Sequence, residues 1–218
     1  DLVRSRGLGD VYKRQEVKHA FVKKKLKHHN WNHVLRDLAR GITIGECEKA
    51  NMKIVLAAIL LHDIGRFYPQ IHRNHYVTGA TMAPRYLELA GFSKKETKEI
   101  THCIKSHGPR GIEIPRTLPA KVCYDVDVLS CSVGCIGVAM VFDYFMREKD
   151  MSVKQMIRMP SGRKGLRKDF YTTTGRKLGG QGHKQAKKFW RELAKEFNRE
   201  EKIIKTIIQD YEGDCHSC

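Results

Sequence analysis

Apolar residues recur at helical spacing along most of this chain, and no segment shows a convincing run of strands. In residues 16–28, Val17, Ala20 and Phe21 share one helical face, with Val22 and Leu26 off it. Residues 31–39 give a cleaner stripe of Trp31, Val34, Leu35 and Leu38. Residues 47–61 are the most apolar and predict the central helix, closing on the unbroken run 54–61. A helix over 76–90 ends at Gly91, and Ser93 with Glu96 has the capping-box spacing that opens another through about His107. Pro109, Gly111, Pro115 and Pro119 mark a loop. Residues 120–129 and 133–147 predict two more apolar helices, and 152–158 a short one. Residues 160–182 differ, with six glycines, many basic groups and no strong period, and read as a long loop or mobile flap. Two closing helices follow over 184–197 and 201–211, where Ile203, Ile204 and Ile207 read as packing. The expected fold is all-α, a single helical domain over residues 16–212 with a tail at 213–218 that reads as disordered.

Composition narrows the class. A chain of 218 residues can bury one sizeable core, and its apolar runs fall well short of the roughly 20 residues that span a bilayer. Residues 1–15 show no period and resemble translated sequencing-adapter read-through, so they read as a non-native leader. That segment holds four basic and two acidic groups, leaving +15 of the +17 net charge on the rest. Such a surface attracts phosphates, nucleotides or nucleic acid, or is a solvated basic face without a specific partner. Seven cysteines and the lack of an apolar signal segment point to free buried thiols in a reducing cytoplasm. Cys215 and Cys218 form a lone CxxC, with no second pair to complete a structural zinc site.

Candidate chemistry begins where the apolar run ends. His62 and Asp63 stand together at the edge of buried structure, a costly position unless something satisfies both, as a metal ion does. Gly65 then lets the chain turn away. His33 lies 29 residues earlier and Asp127 lies 64 residues after Asp63, so three helices can converge on one ion. A mixed nitrogen and oxygen set suits Mn, Fe, Co, Ni or Zn with open coordination positions. His33 points away from the Trp31–Leu38 stripe; its helix needs contacts on two sides, or His33 is a surface residue.

These residues carry a family likeness. The segments 29–36 around His33, 60–66 around His62-Asp63 and 124–129 around Asp127 resemble, in that order, the motif blocks of the HD superfamily of metal-dependent phosphohydrolases. Phe170-Tyr171-Thr172 and Thr174-Gly175-Arg176 resemble a tail element of some small bacterial members. The resemblance implies an HD-type helical domain with the metal at the centre of its bundle, and His33, His62, Asp63 and Asp127 as ligands. Asp125 competes for the last place, but Asp127, before Val128-Leu129, matches better. Val126 replaces an alanine, and Ser130 stands where an aspartate often follows the leucine. The segments after His75 and before His107 resemble those that widen the site for a second metal; these two, with His102 behind them, would bind a second ion, stand near the site without contact, or be ordinary surface histidines. Arg66 and Arg36 are candidates for binding phosphate, although Arg66 also reads as a surface cation near a helix end.

The resemblance implies hydrolysis of a phosphoester or phosphoanhydride, with a nucleotide or related metabolite as substrate. Asp63 would handle the water proton, and Arg66 with His107 would offset developing charge. A basic flap carrying Arg163, Lys164, Arg167 and Lys168 would attract or cover the substrate. Two other readings stay open: a nucleotide- or nucleic-acid-binding module with a structural metal, and a di-iron oxygenase that needs both His75 and His107 as ligands.

Overall fold

A computed structural model describes residues 29–159 and 169–214, together with His19, Phe21 and Lys23. The described residues form helices α1 (Trp31–Cys47), α2 (Met52–Leu61), α3 (His75–Leu89), α4 (Lys94–Ser106), α5 (Leu118–Ser132), α6 (Gly134–Lys149), α7 (Val153–Ile157) and α8 (Thr173–Asp214). A short 3-10 turn, Ile64–Phe67, follows α2. No strand occurs among the described residues, and the fold is all-α. Most of the helix expected over 16–28, the flap cations at 163–168 and the terminal CxxC lie outside the described residues.

Helix α2 is the axis of the core. Its Asn51 cap accepts from the Ile54 N–H, and every residue of 54–61 is buried. Helices α1, α4 and α5 pack around it. Helix α1 runs to Cys47, beyond the predicted end at 39, because Gly41 and Gly45 let it lie close against α2. A Cβ on Gly41 would overlap the Ile59 side chain, and one on Gly45 would meet the Met52 sulfur. The buried face of α1 is His33, Val34, Asp37, Leu38, Gly41, Ile44 and Gly45, whereas Leu35 from the predicted stripe is exposed. The helix therefore has contacts on two sides, α2 and α5, and His33 is buried.

Two expectations need correction. Residues 173–182 are helical instead of forming part of a flap, and the two closing helices are one, α8, 42 residues long. The glycines there serve close approach. A side chain at Gly175 would strike the Asp125 carboxylate, one at Gly179 the Phe170 ring, and one at Gly182 Val133. Asp125 anchors the start of α8 by accepting from the N–H groups of Tyr171 and Thr172 at 2.8 Å each and from the Thr172 hydroxyl at 2.6 Å. A satellite core of Val138, Val141, Met156, Met159, Ala186 and Trp190 then joins α6, α7 and α8. Of the four described free cysteines, Cys103 and Cys123 are buried as expected, but Cys47 and Cys135 are exposed.

Gly65 also works differently from the reading of a simple chain break. A Cβ there would overlap the carbonyl oxygen of His75 and crowd the N–H of Gly79, so the turn and the start of α3 touch backbone to backbone. Gly65→Ala is expected to cost about 1–3 kcal/mol, since neither obstacle can rotate aside. Gly180 has no atom near its missing Cβ. Gly180→Ala should gain about 0.5–1 kcal/mol of helix stability. Urea unfolding of the two variants tests this opposition of sign.

Candidate metal centre

Helix ends aim two histidines inward. The last carbonyls of a helix lack intrahelical partners. His62, just past α2, donates from Nδ1 to the Ile59 oxygen at 2.7 Å, and His107, just past α4, donates from Nδ1 to the Ile104 oxygen at 2.6 Å. The same Ile-x-x-His device thus satisfies a carbonyl and fixes the tautomer that leaves Nε2 as the acceptor. Gly108, at φ +68°, then turns the chain away from α4. His33 comes from the buried face of α1. Asp127 comes from α5, two residues and about 200° around the helix from Asp125.

These groups converge. His33 Nε2 and His62 Nε2 are 3.2 Å apart. Asp63 Oδ2 lies 3.2 Å from His62 Nε2 and 3.5 Å from His33 Nε2, and an Asp127 oxygen lies 4.0 Å from His33 Nε2. His107 Nε2 is 3.8 Å and His75 Nε2 3.6 Å from Asp63 Oδ1. Within 4.8 Å of one another, potential donor atoms form three sets: His33, Asp37, His62 and Asp127; His29, His33 and Asp63; and His62, Asp63 and His107. His33, Asp37, His62 and Asp63 form the sealed floor, while His29, Arg66, His75 and Asp127 are partly exposed at the mouth.

The electrostatics call for a cation. Burial would raise the Asp63 pKa, but His29, His62 and Arg66 hold it well below the usual carboxylate range. Burial would lower His62, yet Asp63, Asp37 and Asp127 drive it up to about 10. Burial would lower His33 as well, but Asp37 and Asp63 together raise it, whereas burial dominates at Asp37 and pushes its carboxyl upward. Asp127 is lowered against the effect of burial by His107, His62 and His33. Protons on the histidines supply the positive charge that the carboxylates demand, and a divalent ion fits the same role. The Oδ2 atom of Asp37 is sealed from solvent without a hydrogen bond, which is the acceptor chemistry such an ion satisfies.

The predicted site residues fare unequally. His33, His62, Asp63 and Asp127 come together, with His75 and His107 beside them. Asp125 is occupied at the root of α8, on the far side of α5. His102 turns outward, pairing with Glu113 at 2.7 Å and accepting from the Arg116 N–H at 3.1 Å, so it braces the loop after α4. Arg66 donates from Nε to Asp63 at 2.5 Å and from Nη2 to His75 Nε2 at 3.1 Å. It orients the aspartate and remains partly exposed. Arg36 is half-buried, its Nε lacks a partner, and no contact ties it to the cluster. Burial and the nearby His62 lower His107 to about 4, which favours a neutral ring. Burial and Arg66 lower His75 to about 3. His29 and Asp37 were not singled out from the sequence, although His29, His33 and Asp37 stand at intervals of four along the chain.

This inward-facing histidine and aspartate cluster coincides with a family match, because the HD domain model aligns with residues 30–131. The chain carries an HD domain. Solved structures extend the likeness to most of the chain. A predicted HD superfamily hydrolase from an uncultured Thermotogales bacterium is 25% identical, covering 83% of this chain and 88% of its own, with a TM-score of 0.62. YpgQ of Bacillus subtilis in complex with ADP is 24% identical over 88% of this chain and 96% of its own, at a TM-score of 0.65. An HD-superfamily hydrolase from Bacillus thuringiensis is 21% identical over 88% and 98%, at 0.66. A search among curated proteins finds no significant match. The HD domain and its buried cluster support a metal-dependent hydrolase. No described helix is long and apolar enough to cross a membrane.

Ion binding should be linked to protons. With His62 raised to about 10, an ion that takes its Nε2 at pH 7.5 displaces a proton, so affinity should rise with pH from 6 to 9. Titration calorimetry of Mn or Zn in two buffers of different ionisation enthalpy should show net proton release. Proton-neutral binding would contradict this assignment of charge.

Proposed function

We propose that this chain hydrolyses a phosphoester or phosphoanhydride bond of a nucleotide or related phosphorylated metabolite, using a water activated by a divalent transition metal. The observation that carries the reading is the cluster itself. Imidazole Nε2 atoms and carboxylate oxygens from four parts of the chain face one centre, at positions matching the motif blocks of the HD family. His33, His62, Asp63 and Asp127 would hold the ion. When bound, a divalent cation supplies Lewis acidity, lowering the pKa of a water and polarising a phosphoryl oxygen.

The chain's own groups then divide the remaining work. Asp63, held by Arg66, offers a fixed carboxylate to take the water proton. Arg66, partly exposed at the mouth, is the cation that meets negative charge on the phosphoryl group. His107 keeps a neutral Nε2 beside Asp63 as a further acceptor. His75 is engaged by Arg66, which favours a single ion over the wider site; a second metal would require Arg66 to release that ring. The net charge of +17 suits an anionic substrate. YpgQ, a protein of the same fold, is known in complex with ADP, which makes nucleoside phosphates the first compounds to try. The free thiols suit a reducing cytoplasm.

Metal-stripped protein reloaded with Mn or Co should release phosphate or nucleotide product from a panel of nucleoside phosphates, phosphomonoesters and phosphodiesters. Asp63→Asn should lower kcat about 100- to 1,000-fold. Stoichiometric metal binding with every phosphate ester left intact would sink the proposal.

A further inference from the structure

Helix α1 carries a carboxylate to the histidines that the motif blocks do not assign. Asp37 is 1% exposed, one turn after His33 on the same edge. Its two oxygens are used differently. Oδ1 accepts from the Ser130 hydroxyl, whose oxygen accepts from Arg40 Nη1 at 2.8 Å. Oδ2 accepts no hydrogen bond and lies 3.3 Å from His33 Nε2 and 3.8 Å from His62 Nε2.

The direction of approach distinguishes two roles. A carboxylate that only orients a ligating imidazole meets the ring nitrogen turned away from the ion. In His62 that nitrogen is already committed to the Ile59 carbonyl. Asp37 comes instead to the Nε2 side, where an Asp127 oxygen also lies within 4.8 Å of the same atoms. A buried carboxylate oxygen without a donor is costly, and a cation at this centre removes the cost.

We propose that Asp37 is itself a ligand of the ion, joining His33, His62, Asp63 and Asp127, and that Ser130 and Arg40 hold it in place. This rests on the metal site proposed above. It also accounts for Ser130. A hydroxyl at that position can donate to Asp37, whereas an aspartate there would set two buried carboxylates against each other. The added carboxylate makes the donor set harder and more negative, which favours Mn or Fe relative to Zn.

The test is metal competition against a chromophoric chelator on the full, metal-stripped chain, with the visible spectrum of the Co-loaded protein as a second readout. Asp37→Asn keeps the shape and the Ser130 contact. It should weaken Mn binding at least about 100-fold and change the Co spectrum, while Ser130→Ala should weaken binding about tenfold. Thermal melting of the metal-free variants serves as the folding control. If Asp37→Asn does not fold, Ser130→Ala decides alone, and unchanged affinity there overturns the proposal. Binding by folded Asp37→Asn within about threefold of wild type, with the same Co spectrum, also overturns it. His62→Ala separates the two readings. Loss of the ion in His62→Ala beside unchanged Asp37→Asn removes only this ligand; a wild-type chain that takes up no metal removes both.

Discussion

Asp63 is buried from bulk solvent, and its charge is balanced by His29 just before α1, His62 beside it at the end of α2, and Arg66 on the following turn. A carboxylate in that position is tolerable only while those partners stay in place. The packing of the domain follows from keeping them there. The apolar α2 fixes where His62 and Asp63 emerge. The glycine contact between Gly65 and α3 brings His75 to the Arg66 guanidinium, and the two close approaches at Gly41 and Gly45 seat α1.

The histidines illustrate how local chemistry becomes geometry. Each of the two that follow a helix satisfies an otherwise unpaired carbonyl and is thereby locked with its other nitrogen forward. No tertiary contact is needed to choose the tautomer. Where the cluster opens, at His29, Arg66, His75 and Asp127, partial exposure gives an anion a route to the centre. The positive charge of Arg66 is already shared with Asp63, so it orients one group while presenting itself to another.

The sequence made much of this legible. The apolar run at 54–61 announced the central helix, and three short blocks in order announced the metal cluster. Other features depended on information that periodicity does not hold. Leu35 completed a plausible apolar stripe, but His33 and Asp37 are buried against the cluster of histidines and carboxylates, and a hydropathy pattern counts both as outward residues. The glycines of 175–182 resembled a loop because their cost in a helix is visible in sequence, while the Phe170 ring, Val133 and the Asp125 carboxylate that require them come from elsewhere in the chain. His102 and His107 are both candidates in the sequence, with His107 ahead, and five residues apart they face Glu113 in one case and the ion centre in the other. His29 and Asp37 had a readable signal, the four-residue rhythm with His33, which gains weight once the middle histidine is known to point inward.

That rhythm has a consequence for how the domain can change over time. His29, His33 and Asp37 meet the cluster from one edge of the chain, and Gly41 and Gly45 continue that edge into the contact with α2. Adding or removing a single residue between 33 and 45 would rotate one part against the other by about 100°. It would uncouple the cluster from the seat of the helix. Outward positions such as Asn32, Leu35 and Ala39 can drift in identity, but the length of this segment cannot. Descendants of this chain should therefore vary freely in spelling along α1 and hardly at all in its count of residues.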